Sequence, residues 1–146
     1  GVGTANTASN VLDDYEEGEY DIVATMVSGS ITFNSSVNRA SYTKVGRLVH
    51  VQGFATVSSV SSPSGWLSLS LPFTVASLTE NSGKSTANLY IYGVNSANVS
   101  DFVSTVNEGG TVILIQMGDT VSPQNDAANE IKAASGISFS VSYHTA

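Results

Sequence analysis

The chain has no cysteine. Disulfides, thiolate nucleophiles and thiolate zinc sites are thereby excluded, while the redox compartment is left open. Charge is scarce too, at 12% of residues, against about a quarter in an ordinary globular domain. The basic residues Arg39, Lys44, Arg47, Lys84 and Lys132 are scattered through a chain of net charge -7. No cationic stripe can neutralise a row of phosphates, so nucleic acid is a poor partner, and an anionic membrane surface is disfavoured for the same reason. No apolar run approaches the roughly 20 residues of a spanning helix, and membrane insertion is not expected. A G-x-S-x-G elbow is missing, and Gly109-Gly110 lacks the Lys-Ser/Thr and helix of a phosphate loop. His50 and His144 are the only histidines, and neither has a second histidine at metal-ligand spacing. Their plainer role is a polar position on a strand face, and no metal or cofactor is expected.

What the chain does have is serine, threonine, asparagine, glycine and valine. Solubility must come from hydroxyls and amides more than from charge. Hydrophobic residues make up 41% of the chain, in periodic runs that argue against disorder. With 146 residues it can bury a core without staples, and one domain is expected. Residues 1–20 read as an extended leader or linker, starting with the aperiodic GVGTANTASNV and running into the acidic LDDYEEG; residues 21–146 read as a β domain.

Alternation places Ile22, Ala24 and Met26 on one face of a first strand. Short strands Ile31–Phe33 and Ala40–Val45 follow, separated by a turn at Asn34–Asn38. Leu48 to Val60 is a long strand with Val49, Val51, Gly53, Ala55 and Val57 on one face and Leu48, His50, Gln52, Phe54 and Thr56 on the other. Gly53 in mid-strand suggests a bulge or a close backbone approach. After a turn at Ser61–Gly65, Trp66 to Leu71 alternates, leucines inward, until Pro72 stops it. Glu80–Lys84 reads as a turn, Ala87–Val94 as a strand with Tyr90 and Tyr92 on its less buried face, and Ser96–Val106 as loop or helix. Val112–Ile115 is apolar on both faces, as in a central or interfacial strand. Asp126–Ala134 reads as a short helix stopped by Gly136, and Ile137–Tyr143 as a last alternating strand. The fold class expected is all-β: an antiparallel two-sheet β-sandwich, jelly-roll-like, with one short helix near the C-terminus.

Four segments, LDDYEEG at Leu12–Gly18, YTKVGRLV at Tyr42–Val49, LPF at Leu71–Phe73 and ISFSVSYHTA at Ile137–Ala146, stand in an order that resembles the distal domain of bacteriophage tail fibres and tailspikes. That group has an LDDYEEG leader, a β domain with Y-T-K-x-G-R, a later L-P-F and a closing strand near S-x-Y-x-T. This chain departs from it after Gly18, where Glu19-Tyr20-Asp21 stands in place of Thr-Trp and a following proline, and Tyr20 is expected to take over the tryptophan's packing. The resemblance implies a homotrimer at the far end of a fibre, joined to an upstream shaft, located on the virion outside the cell, with host-surface polysaccharide as ligand and no catalysis. The absence of a signal peptide at the start of the sequence suits a virion part released by lysis.

Among candidate sites, Asp13, Asp14, Glu16 and Glu17 can be read as paired glycosidase acids held about 5–10 Å apart across a sugar, as a calcium site without the D-x-D-x-D-G spacing, or as a solvated or subunit-bridging acidic segment. The last is the plainer reading, since catalytic pairs come from separate rigid elements. Sugar rings present flat C–H faces to aromatic side chains and hydroxyls to amides. Trp66, Tyr90 and Tyr92 fit the first role, and Asn88, Asn95 and Asn98 the second; the competing role for the rings is burial between subunits. Two alternatives accompany carbohydrate binding: a purely structural trimerisation cap, and a depolymerase. The two-faced strands Leu48–Val57 and Val112–Ile115 carry the argument for trimerisation, because they hold more apolar surface than one sandwich interior needs.

Overall fold

Gly46 and Arg47 join two long strands by the shortest hairpin connection, with Gly46 at φ +58 in the first central position, where positive φ is required. These strands run far beyond the lengths that turn chemistry suggests. The structure, a computed structural model, describes residues 14–95, 101–118 and 126–146. Its strands are β1 (Tyr15–Asp21), β2 (Ala24–Val45), β3 (Leu48–Ser70), β4 (Asn88–Tyr92), β5 (Phe102–Val106), β6 (Val112–Met117) and β7 (Gly136–His144). Expectations on residues 1–13, 96–100 and 119–125, Asp13 and Asn98 included, lie outside the described residues.

β1 ends opposite Arg39, yet after only Ile22 and Val23 the chain starts β2 opposite Leu69. The β2–β3 ribbon must therefore double back, bringing its open end beside its own middle. Ile22 N–H donates to the Asn38 carbonyl (2.8 Å) and the Tyr20 hydroxyl to the Ser70 carbonyl (2.9 Å), fastening the two regions. The bend is made by register shifts at Met26/Ser28, Ser28/Ser30, Thr32/Phe33 and Phe33/Asn38 and by positive φ at Gly29, Ser62 and Gly65. Gly29 lies against the Ser61 and Ser62 carbonyls with no room for a side chain. The turn clusters expected at Asn34–Asn38 and Ser61–Gly65 are thus bulges inside continuous strands, because the partner strand offers ladder bonds on both sides of each irregularity.

The first half of β3 pairs with β7, which pairs with β4; its second half pairs with β6, which pairs with β5. All seven strands belong to one sheet, ordered β1-β2-β3-β6-β5 with β7 and β4 branching from β3. The all-β antiparallel class is as expected, and the strands form a single folded sheet in which the sequence-adjacent pairs β1–β2, β2–β3 and β5–β6 are joined by the long-range pairs β3–β6, β3–β7 and β4–β7. A serine closes the far side: Ser104 Oγ donates to the Ala87 carbonyl (2.8 Å) and accepts its N–H (2.7 Å), and Ser85 bridges Val106. The expected helix at Asp126–Ala134 is only a 3-10 turn, Ala127–Glu130, since Ile131 is already extended. The segment left open between loop and helix ends in strand β5 instead.

One core joins both halves: Val49, Val51, Leu67, Leu69, Ile113, Ile115 and Ile137 are fully buried, roofed by Ala127, Ala128 and Ile131. Gly53 is a close approach rather than a bulge. A Cβ there would meet the Phe139 ring at 2.8 Å and the Ala40 Cβ at 2.9 Å, so its missing side chain is what seats that ring. Much of the apolar surface that suggested association is consumed internally; Leu48 and Phe54 stay exposed on the outer face of β3.

The described part of the first motif segment, Asp14–Gly18, meets the other three at one corner. Lys44 Nζ bonds Asp14 (2.6 Å), the Tyr42 hydroxyl donates to Glu16 (2.7 Å), and the Tyr42 ring covers Gly18. Phe73 stands edge-on to Tyr42 with centroids 5.1 Å apart, and its carbonyl accepts from the Tyr143 hydroxyl (3.1 Å). Arg47 Nε donates to the Thr145 carbonyl (3.1 Å). Tyr20 does pack against the core.

Candidate functional site

The pleat sends every second residue of β1, β2, β3, β7 and β4 away from the core. Cross-strand register lines these residues up in rows. One row runs Glu19, Ser41, Gln52, Ser140, Asn88; the next runs Asp21, Arg39, Phe54, Ser138, Tyr90. Between them lies the backbone of Ala40, Gly53, Phe139 and Leu89, with the side chains of Ala40, Phe139 and Leu89 facing inward. The result is an open groove of about 580 Å³ crossing the strands, with polar side chains along one bank and two rings on the other. Phe54 is 39% exposed and Tyr90 66%. They flank Ser138, so their strands lie about 10 Å apart, two strand spacings. A second hollow bordered by Glu17, Thr43 and His50 continues the groove and shares Glu19, Ser41 and Gln52 with it.

The electrostatics are one-sided. Arg39 reaches Glu19 at 3.5 Å and Asp21 at 3.4 Å, so the groove's guanidinium is already held between carboxylates. His50 Nδ1 lies 3.0 Å from Ser142 Oγ. The acidic residues ahead of the groove have partners of their own: Asp14 pairs with Lys44, Glu16 accepts from Tyr42, and Glu17 accepts from the Tyr15 hydroxyl at 2.6 Å. The hydrogen bond to Glu16 raises the Tyr42 pKa and the one to Glu17 raises that of Tyr15, because each phenol proton is shared with a carboxylate.

Of the residues singled out in the sequence, Asn88 and Tyr90 line the groove. Tyr92 stands beside it, its ring laid over Gly136 and 5.5 Å from that of Tyr90 between centroids. Asn95 points elsewhere: its N–H donates to the Glu130 carbonyl and its Nδ2 to the Asn129 carbonyl, each at 2.8 Å, pinning the 3-10 turn. Trp66 is half-buried in the second half of β3, beside Leu67, which pairs with Met26 and Ile115 in the other half of the sheet. Phe54, Gln52, Arg39 and Glu19 were not singled out. Alternation already put Phe54 and Gln52 on one face of a strand read as two-faced, but only the register across five strands turns that face outward and sets them opposite Tyr90 and Asn88.

The chain is similar in fold to part of the Dettilon tailspike protein. The TM-score is 0.71 at 22% identity, covering 89% of this chain and 24% of the tailspike, so this chain spans about a quarter of that protein's length. No protein-family model and no curated protein matches the sequence. The tailspike likeness bears on the fold, and the groove is described by its own residues. Among the described residues, no group of three or more His, Cys, Asp or Glu is placed to hold a metal ion, and no helix is long and apolar enough to cross a membrane.

Proposed function

We propose that this chain is a receptor-contacting domain of a bacteriophage tail fibre or tailspike, which binds host-surface carbohydrate along the outer groove without catalysis. The observation that carries this reading is the row Phe54, Ser138, Tyr90 facing the row Gln52, Ser140, Asn88. Exposed rings at fixed spacing suit the C–H faces of successive sugars, and the opposite bank offers hydroxyls and amides to their oxygens. The resemblance of the four motif segments and the tailspike-like fold support a place on the virion tail, with the residues ahead of β1 leading to an upstream shaft. Three copies per fibre would convert weak single sites into useful avidity.

Titration of the isotope-labelled chain with an oligosaccharide panel, followed by NMR, tests the reading. Shifts are expected at Asn88, Tyr90, Gln52 and Phe54, and Tyr90→Ala should weaken binding about five- to tenfold, the scale of one lost ring contact. A folded chain with no shifts at any concentration would refute it.

A structural trimerisation cap is the second reading, favoured by exposed Val23 (57%), Val27 (62%) and Val103 (37%). A cap would trimerise through such surface and bind no saccharide.

A further inference from the structure

We infer that the groove selects uncharged or amine-bearing glycans and rejects those carrying carboxylates, an inference that rests on the glycan-binding reading above. Three acidic side chains, Glu17, Glu19 and Asp21, border the two hollows or end their rows, against one cation, Arg39. That cation is exposed, but its charge is offset by two carboxylates. Its guanidinium lies within 3.5 Å of Glu19 and 3.4 Å of Asp21, and an incoming carboxylate would have to displace one of them. Lys44, the next cation along β2, alternates to the opposite face and bonds Asp14 at 2.6 Å. His50 also borders the second hollow, and its Nδ1 faces the Ser142 hydroxyl at 3.0 Å; the tyrosines Tyr42 and Tyr90 complete the titratable lining. The remaining polar lining, Ser41, Gln52, Asn88, Ser138 and Ser140, is neutral and donates and accepts equally well.

A uronate or sialate therefore meets an excess of like charge and a guanidinium already offset by Glu19 and Asp21, whereas a neutral hexose loses nothing and an amino sugar gains attraction to Glu17 and Glu19. The bound class is thus a neutral or amine-bearing polysaccharide lying across the strands, with sugar faces on Phe54 and Tyr90. Salt should narrow the discrimination without abolishing neutral binding, because the repulsion is screened and the ring contacts are not.

The test uses the full chain and three oligosaccharide sets of matched length: neutral, amine-bearing and uronate-bearing. Wild type is expected to bind members of the first two sets and the uronates more weakly. The double variant Glu17→Gln with Glu19→Gln should raise uronate affinity about two- to fivefold per carboxylate removed, and leave neutral affinity unchanged. If uronates bind as well as neutral glycans, or Arg39→Gln abolishes uronate binding that wild type shows, charge selection is wrong while glycan binding stands. If no saccharide of any class binds the folded chain, the glycan reading itself fails and takes the selection with it. Chemical-shift changes confined to residues outside Glu17–Asp21, Arg39–Thr43, His50–Phe54, Asn88–Tyr90 and Ser138–Ser140 would also overturn the assignment.

Discussion

Gly53 and Phe139 show how one missing side chain shapes both faces of the sheet. On the inner face the Phe139 ring occupies the space a Cβ would need; on the outer face the backbone of Gly53 is part of the groove floor. Gly53→Val should cost about 1–3 kcal/mol, the range for overpacking a core, read as a lower urea midpoint, and an unchanged midpoint would contradict this packing. Tyr143 is the residue whose protonation reports the same core. Burial pushes its hydroxyl up to about 12, partly offset by the Phe73 N–H that it accepts at 3.3 Å, and burial raises Tyr20 in the same direction. The folded pKa lies above the unfolded value of 10.0. Its contribution to stability is therefore intact below pH 10 and is lost as pH climbs toward 12, because the unfolded chain releases its protons first. Denaturant unfolding at pH 8 and pH 11 should show the loss, with a smaller drop in Tyr143→Phe; equal stability at both pH values would contradict it.

At the level of elements, the β2–β3 ribbon decides the architecture. Strand alternation was readable in Leu48–Val57, Trp66–Leu71, Ala87–Val94 and Ile137–Tyr143, because a half-buried strand must repeat every two residues. Continuity was not readable. Asn34, Ser62 and Gly65 are turn formers by local preference, and only pairing with the neighbouring strand turns them into bulges. Asp126–Ala134 has helical composition, yet after the 3-10 turn Ile131 is extended and the chain turns at Ala134 (φ +70), whose N–H donates to the Val57 carbonyl (2.9 Å) ahead of β7. The groove was half legible for the same reason: Tyr90 and Asn88 sit on a visibly outward face, while Phe54, Arg39 and Glu19 join them only through register. Ser104 makes a test at this scale, since its hydroxyl alone ties β5 to both backbone groups of Ala87. Ser104→Ala leaves those groups short of a partner in a buried setting and should cost about 1–3 kcal/mol, with faster amide exchange along β4 and β5. Unchanged exchange would show that Ser85 and Val106 hold the closure without it.

For the whole molecule, the folded sheet gives two outer surfaces of different character. One carries the groove, its rings and its carboxylates; the other half of the sheet bears exposed valines and the half-buried Trp66. This division fits a domain that meets sister chains on one side and a saccharide on the other. Sedimentation at low micromolar concentration should return three times the chain mass of 15.1 kDa, and Val27→Asp should shift it toward monomer. A wild-type monomer at that concentration would remove the assembly from the account without touching the groove.

The most direct measurement is a crystal structure with a bound oligosaccharide. The account predicts sugar rings stacked on Phe54 and Tyr90, with hydroxyls bonded to Gln52, Asn88 and the intervening serines. Saccharide lodged instead around Trp66 and the exposed valines, with the groove empty, would contradict it.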